Sequence, residues 1–509
     1  MTTTLFRGGM IRLPGKGFVG DWALVTGGRI EAHGAEGEGL PGADRVVDLE
    51  GGALVSGFCD GHVHLPVTGL YLRGLDFRGE GSAAVILDAF RRRAEEGGND
   101  VLFGGNFEDP LDAPLLAVDL DGAVGERPAL LARADMHSCI VSTALLRELE
   151  TGGLPGVDRT PAGEPTGYLR EQAAAEAWKW FDAHLTADQQ RAAIRAAATH
   201  AYSKGVTEVH EMFVVEWRGW TAAAVLIETI DTLALDVFVY LATPEVERVA
   251  ELGMPQIGGD FFLDGSFGSH TAWMKAPYTS APPAGHPHSG IAYRTDDEVF
   301  QFFSTAHERG LQVGVHAIGD AAIEQCIATW ERVAESIGLE HVKARAHRIE
   351  HFECASDDLM ARAARLGLRA SVQPAFDHYW GGSDGLYARR VGWDRAGDMN
   401  RFGSMAAAGI VIGAGSDSTV TPLDPFLQMH ALRTHHVEGE RLGGAAALYA
   451  HTAGGRSLRP GVIDPLRADL AWLDRDPVDT DAHELLKTEV LGTWVEGRRV
   501  FPAAEAEAE

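Results

Sequence analysis

Apolar positions along the chain show two textures. Near both ends they form short β-rich runs set off by glycines: Ala23-Leu24-Val25, Gly27-Gly28-Arg29-Ile30 and Arg45 to Leu49 early on, then Asp469 to Leu473 and Thr488 to Val500, the last with a turn at Glu496-Gly497. Between them, β runs alternate with helical stretches such as Asp296 to Arg309 and Asp357 to Leu366. These β runs end near His64, His210, Ala242, Asp264, His316, His351, Pro374 and Asp417. Eight β runs alternating with helices predict an α/β fold with a parallel sheet, and eight is the count that closes a (β/α)8 barrel of the TIM type. The stretch from about Arg73 to Lys204 is too long for one βα unit. It carries two extra β-like runs, near Val101-Phe103 and Ala129-Arg133, and a helix near Gln172 to Trp180, so it reads as a large insertion after the first barrel strand. The expected organisation is a barrel over 58–464, with the insertion at about 73–204, and a small composite β-sandwich domain made by 1–57 and 465–509. The Ala/Glu alternation of Ala503 to Glu509 reads as a frayed tail.

Composition narrows the field of functions. The chain has 509 residues, 45% hydrophobic and 23% charged, with a net charge of −29. Such an acidic surface repels phosphate backbones and anionic lipid, so neither nucleic acid nor a membrane is an expected partner. No run of about 18 apolar residues exists, and Met1 to Arg12 has no apolar signal core. The four cysteines, Cys59, Cys139, Cys326 and Cys354, form no C-x-x-C pair. A cytoplasmic location is the expectation.

Chemistry concentrates where β runs end. His62 and His64 form an H-x-H; on a strand both imidazoles share a face, which suits a divalent metal such as zinc. Later β runs end in His316, within Val313 to Asp320, in His351, within Arg348-Ile349-Glu350-His351, and in Asp417, within Ile412 to Asp417. In a barrel the C-terminal strand ends meet on one face, so four imidazoles and one carboxylate distant in sequence converge. His347 shares a strand face with His351 and reads as structural. His435-His436, in a polar helix-like stretch, reads as solvated. Trp273, Tyr278, Tyr379 and Trp380 follow strand ends and are candidates to line an apolar pocket.

These stretches resemble one family. Gly57 to His64, Asp135-Met136-His137-Ser138, Gly167 to Glu171, Leu263-Asp264-Gly265-Ser266, His316 to Asp320, His347 to His351, Ser371-Val372-Gln373-Pro374, Gly415-Ser416-Asp417 and Ala468-Asp469-Leu470 together look like the metal-dependent amidohydrolase superfamily, in the branch that includes N-substituted formamide deformylase. The resemblance covers nearly the whole chain. It implies the barrel with a terminal β-sandwich, His62, His64, His316 and His351 as metal histidines, and Asp417 as both metal ligand and catalytic proton carrier. The implied reaction is hydrolysis of a non-peptide C–N bond (amide, N-acyl or N-formyl) in a small molecule, by hydroxide formed on one or two divalent ions, zinc first among them. A metal lowers the pKa of bound water from about 15.7 to about 7, and Asp417 would pass the proton on to the leaving amine. The neutral ligand histidines need acceptors for their second N–H, and Glu350 and Asp320 are candidates. His137 and Asp264 are candidate substrate contacts, Asp264 with Gly265-Ser266 shaping the pocket loop. Because many relatives pair, a homodimer is also expected.

One departure from the family stands out. Where many binuclear members carry a carboxylated lysine on the fourth strand, this chain has Asp260, within Gly259 to Gly265. Two carboxylates can substitute. Glu171 reaching over from the insertion is taken as the ligand, with Asp260 as the alternative; a mononuclear site is the third outcome.

Other classes fit less well. There is no P-loop and no G-x-S-x-G elbow, and His210-Glu211-Met212-Phe213-Val214 fails H-E-x-x-H at its last position. A deaminase on the same barrel would carry a glutamate three residues after the fifth-strand histidine, where this chain has Gly319. A lactonase or esterase would use the same metal chemistry. A metal-binding scaffold protein without activity would be expected to have lost ligands, and all five are present.

Overall fold

The computed structural model describes residues 2–13, 18–35, 37, 39–97, 101–134, 136–282, 286–461 and 463–502; Asp135 of the early motif and the tail from Ala503 lie outside them. Two parallel sheets form the centre. One has three strands, Asp236–Ala242, Val206–Val214 and Phe58–Val63; the other has five, Gln256–Ile257, Gln312–Ala317, Arg348–His351, Arg369–Val372 and Ile412–Ala414. Both seams between them are bonded. Asp417 N donates to His62 O at 2.8 Å and His64 N to Ser418 O at 2.9 Å, while Gly258 N donates to Leu241 O at 3.0 Å. The eight strands therefore close, in chain order, into a barrel. Most are buried along their whole length, which explains why they read as continuous apolar runs rather than alternating ones. Their packing helices include Asp296–Glu308, Asp320–Ile337 and Asp357–Leu366.

Three details differ from the expected strand ends. Val206–Val214 continues past His210, which leaves that residue inside the barrel wall. The seventh strand stops at Val372, and Pro374 opens the helix Pro374–Trp380, as proline does at a helix first turn. The fourth strand is interrupted. After Gln256–Ile257, Gly258 and Gly259 both adopt positive φ, 91° and 71°. A Cβ on Gly258 would stand 2.1 Å from Gly314 O, so only glycine fits there. Strand pairing resumes at Phe262, opposite His316. Asp260 thus lies in the break between the two paired stretches.

Between the first two barrel strands lies a six-stranded sheet in the order Val157–Arg159, Pro165–Arg170, Ser138–Val141, Ala129–Arg133, Leu102–Phe107, Leu75–Asp76. The sequence reading saw two of these strands; the others are short or rich in glycine and turn residues. Both faces are covered. Leu130 and Ala132 pack with Trp178 and Phe181, while Ala129 and Leu131 pack with Ile86, Phe90 and Leu120. The helix Glu171–His184 docks on Val215–Ile230 of the barrel, fastened by Asp182, which takes two hydrogen bonds from Arg218 at 2.6 and 2.7 Å.

The chain's two ends meet in one connected eight-stranded sheet, in which Ala53–Ser56 pairs with both Thr3–Leu13 and Leu470–Leu473. Phe6, Ile11, Leu54, Leu470 and Trp494 share its core. Among the described residues no helix is long and apolar enough to cross a membrane.

Candidate metal centre

His62, His64, His316, His351 and Asp417 converge at the C-terminal mouth of the barrel, and Asp260 joins them. Asp260 Oδ2 lies 3.2 Å from His64 Nε2 and 3.5 Å from His62 Nε2, while Oδ1 lies 3.7 Å from both His316 Nδ1 and His351 Nε2. Asp417 Oδ1 lies 3.1 Å from His64 Nε2 and 3.5 Å from His62 Nε2. One carboxylate thus spans two groups of imidazoles, and the other closes the first group. His351 and Asp417 hold positive φ, 70° and 50°. These unfavourable left-handed conformations, at two different strand ends, turn the side chains off the strand direction and into the cluster.

Each imidazole is held from behind. His62 Nδ1 lies 3.0 Å from Glu350 Oε2, His64 Nδ1 2.9 Å from Met212 O, His316 Nε2 3.1 Å from Gly265 O and His351 Nδ1 2.8 Å from Gln373 Oε1. Every one of these partners accepts, so each ring donates outward and turns its lone pair inward. The Gln373 orientation follows from the same bond.

The inward atoms test whether a metal fits. His62 Nε2, His316 Nδ1, His351 Nε2, Asp260 Oδ1 and Asp417 Oδ1 are all buried and have no hydrogen-bond partner. Buried polar atoms are ordinarily satisfied, and five acceptors facing one another call for a cation. The donor set, imidazole nitrogen with carboxylate oxygen, suits a divalent transition ion. The electrostatics agree. Burial disfavours charge on His64, yet the adjacent carboxylates of Asp260 and Asp417 raise it to about 10, and Asp417 itself falls well below the usual carboxylate range. The two carboxylates thus favour positive charge at the first group of imidazoles.

Other expected residues fall differently. Glu171, expected to ligate, takes a hydrogen bond from Tyr293 at 3.2 Å and pairs with His137 Nδ1 at 3.2 Å; the carboxylate within the cluster is Asp260. His137 lines the cavity over the cluster. Asp264 does not line it: its carboxylate is occupied by the N–H groups of Trp273, Ile318 and Gly319 at 2.8, 3.0 and 2.8 Å, so it organises the loop rather than facing substrate. Of the candidate histidine partners, Glu350 holds His62, whereas Asp320 accepts from Lys275 N at a helix start. Of the four aromatics, Trp380 lines the cavity; Trp273 packs against the barrel core, Tyr278 is buried on Ala272 O and Tyr379 is exposed. His347 is structural, stacked 3.7 Å from Trp330. His435 is not solvated: it is buried with Nε2 3.3 Å from Asp377, because the helix ends at Thr434 and turns it inward.

Several site residues escaped the sequence reading. Trp217 and Phe262, stacked at 4.9 Å, wall one side of the cavity, and Glu211 and Glu353 are buried within its lining. Burial pushes Glu211 up to about 7. Glu211 was legible only inside a failed zinc motif.

A second group, Cys59, Glu208 and His210, lies deeper in the wall and could pass for a metal site. Its protons exclude that. His210 Nδ1 accepts from Arg348 at 2.9 Å, so Nε2 carries the hydrogen and donates to Glu208 at 3.3 Å. Arg456 and Arg459 neutralise Glu208 at 3.3 and 2.8 Å. The His210 ring has no lone pair left to bind an ion.

A closed βα barrel with an imidazole–carboxylate cluster at its mouth defines a metal-dependent hydrolase. The profile of the Amidohydrolase family matches residues 45–501, and the chain belongs to that family. It is 26% identical to Protein LONG AFTER FAR-RED 3 of Arabidopsis thaliana, over 90% of this chain and 83% of that one. It is 25% identical to N-substituted formamide deformylase of Arthrobacter pascens, over 93% of each. The structure of an uncharacterized metal-dependent hydrolase from Pyrococcus furiosus superposes with a TM-score of 0.73 at 27% identity, covering 94% of this chain and all of that one. The protein is a metal-dependent hydrolase acting on C–N bonds.

Proposed function

We propose that the protein hydrolyses a small non-peptide amide, of the N-acyl or N-formyl kind, with two zinc ions that His62, His64, Asp260, His316, His351 and Asp417 would hold. The observation that carries this reading is the set of five buried, unpartnered acceptor atoms, each imidazole among them fixed from behind. His62, His64, Asp260 and Asp417 would hold one ion, and Asp260, His316 and His351 the other. When bound, the ions acidify water and polarise the amide carbonyl. Asp417 can take a proton from the attacking water and return it to the departing nitrogen, which is a poor leaving group unless protonated. His137, oriented by Glu171, contacts the substrate from above. Apolar walls at Trp217, Phe262 and Phe376 exclude bulk water and take up the substrate's hydrocarbon part. The formamide-deformylase relative supports an N-substituted amide over an ester.

The same reading assigns 58–464 to the catalytic barrel and 1–57 with 465–509 to a β-sandwich, and places the protein in the cytoplasm as a homodimer, with neither nucleic acid nor membrane as partner. The test is elemental analysis of protein purified without chelator, alongside amine release from a panel of N-formyl and N-acyl amines. Two zinc equivalents and turnover that disappears on metal removal are expected. Turnover that survives complete metal removal would overturn the mechanism.

A further inference from the structure

Arg218 brings to the cavity wall a charged side chain that the metal chemistry does not use. It follows the second barrel strand, next to Trp217, and both residues line the cavity. Just after it Gly219 holds φ 79°, a left-handed conformation that breaks the helix Val215–Ile230 and leaves Trp217 and Arg218 on a separate turn. The guanidinium is fixed by two neighbours. Its Nε and Nη2 donate to the two oxygens of Asp182 at 2.6 and 2.7 Å, and its Cζ lies 5.3 Å from the centre of the Phe213 ring.

The third nitrogen is left over. Nη1 is buried without a hydrogen-bond partner, in a side chain that is only 10% exposed. A planar guanidinium that grips a carboxylate along one edge directs its remaining nitrogen away from that edge. Buried donors ordinarily have acceptors, and a charged group left without one is costly. Arg218 also borders a separate void of about 10 Å³, walled mostly by apolar side chains such as Leu70, Ile194 and Leu226. That space is at the lower limit for one water and offers it too few polar partners. The acceptor for Nη1 therefore comes from the cavity. Asp182 already balances the guanidinium charge at short range, so the unmet need is a hydrogen bond rather than a counter-ion. A neutral carbonyl oxygen meets that need and costs less to desolvate than a carboxylate.

We propose that Arg218 is a specificity-determining residue whose Nη1 holds a neutral carbonyl oxygen on the part of the substrate remote from the scissile bond, so that the preferred substrate carries a second carbonyl, in an amide or a ketone. Its link to catalysis rests on the hydrolase reading, but the recognition itself is a binding event that needs no turnover. The stacked rings of Trp217 and Phe262 beside Arg218 cover the hydrocarbon that joins the two carbonyls.

The test compares 3-phenylpropanamide with its thioamide at pH 7, by titration calorimetry on protein purified without chelator, with metal content measured in parallel. Sulfur accepts hydrogen bonds more weakly than oxygen but is the softer metal ligand, so recognition by Arg218 and recognition by the metal give opposite orders. The amide is expected to bind the unaltered protein roughly fivefold more tightly. Arg218→Lys keeps a cation for Asp182 and removes Nη1. It should lower amide affinity roughly tenfold and bring the two compounds close together, with metal content unchanged. The double variant Arg218→Gln with Asp182→Asn, which leaves neither charge alone, serves if the lysine variant does not fold. Tighter binding of the thioamide, or an amide preference that outlasts these substitutions, would overturn the assignment. 3-Phenylpropanoate separates the two kinds of acceptor: a loss on Arg218→Lys larger for the carboxylate than for the amide would overturn the neutral carbonyl. The two readings fail separately. Metal-dependent turnover without the Arg218-dependent preference loses only this subsite, whereas the preference without metal or turnover loses only the hydrolase link.

Discussion

Glu350 Oε2 accepts from His62 Nδ1 at 3.0 Å, and this bond determines which nitrogen of His62 faces the carboxylates of Asp260 and Asp417. Glu350 can play this part because Arg348 grips both of its oxygens, at 2.5 and 2.7 Å. Burial disfavours its charge, yet the guanidinium holds its pKa down to about 2, so it remains an ionised acceptor at any working pH. Glu350→Gln should keep the shape and lose the charge. Metal affinity, measured by competition with a chelator, is expected to fall roughly 10- to 100-fold. An unchanged affinity would mean that the tautomer of His62 is set elsewhere.

Asp260 is the one carboxylate that reaches both groups of imidazoles. Asp260→Ala should therefore lower the metal content and reduce turnover by orders of magnitude. Elemental analysis and amine release measure the two effects. Two retained equivalents would remove Asp260 from its bridging role.

Glu171 separates ligation from positioning. Because it pairs with His137 and Tyr293, Glu171→Gln is expected to leave zinc content intact. The His137 ring would be less firmly oriented, raising KM more than it lowers kcat. Loss of one zinc equivalent would restore Glu171 to the metal shell.

The contact between Asp182 and Arg218 ties the insertion to the barrel, and both side chains are almost wholly buried. Asp182→Ala leaves the guanidinium buried and unpaired. Loss of about 3–5 kcal/mol in chemical denaturation is expected. A loss within experimental error would mean that water reaches the guanidinium once the partner is gone.

Two buried histidines away from the metal centre set a pH limit. Burial holds His210 and His451 near 4 in the fold, below the ordinary value of about 6.5. Between those values the unfolded chain binds protons that the folded chain refuses, so stability falls as pH drops from about 6.5 to about 4. The expected loss is about 1–2 kcal/mol per histidine by pH 5. His451→Gln, compared with the unaltered protein at pH 7 and pH 5, should shallow that slope. An equal slope in both would assign the acid limit to other groups.

Much of the barrel and the cluster could be read from the chain alone. Fully buried strands demand continuous apolar runs, and the polar residues that interrupt them at their ends (His62, His64, His316, His351, Asp417) stand out for that reason. The resemblance to amidohydrolases added their roles. Short strands such as Val157–Arg159 and Leu75–Asp76 escaped notice because two or three residues carry no periodicity.

The choice between Glu171 and Asp260 belonged to the tertiary structure. Side-chain length favours glutamate, yet the shorter Asp260, just after the two positive-φ glycines Gly258 and Gly259, is the one that stands beside the imidazoles. The same holds for Glu211 and Glu353, which come from separate parts of the chain and line one cavity only when the barrel closes. A sequence records which side chains are available and with what local period. Which nitrogen of a histidine turns inward, and which buried oxygen is left without a partner, depends on neighbours supplied by remote parts of the chain, and folding alone brings those together.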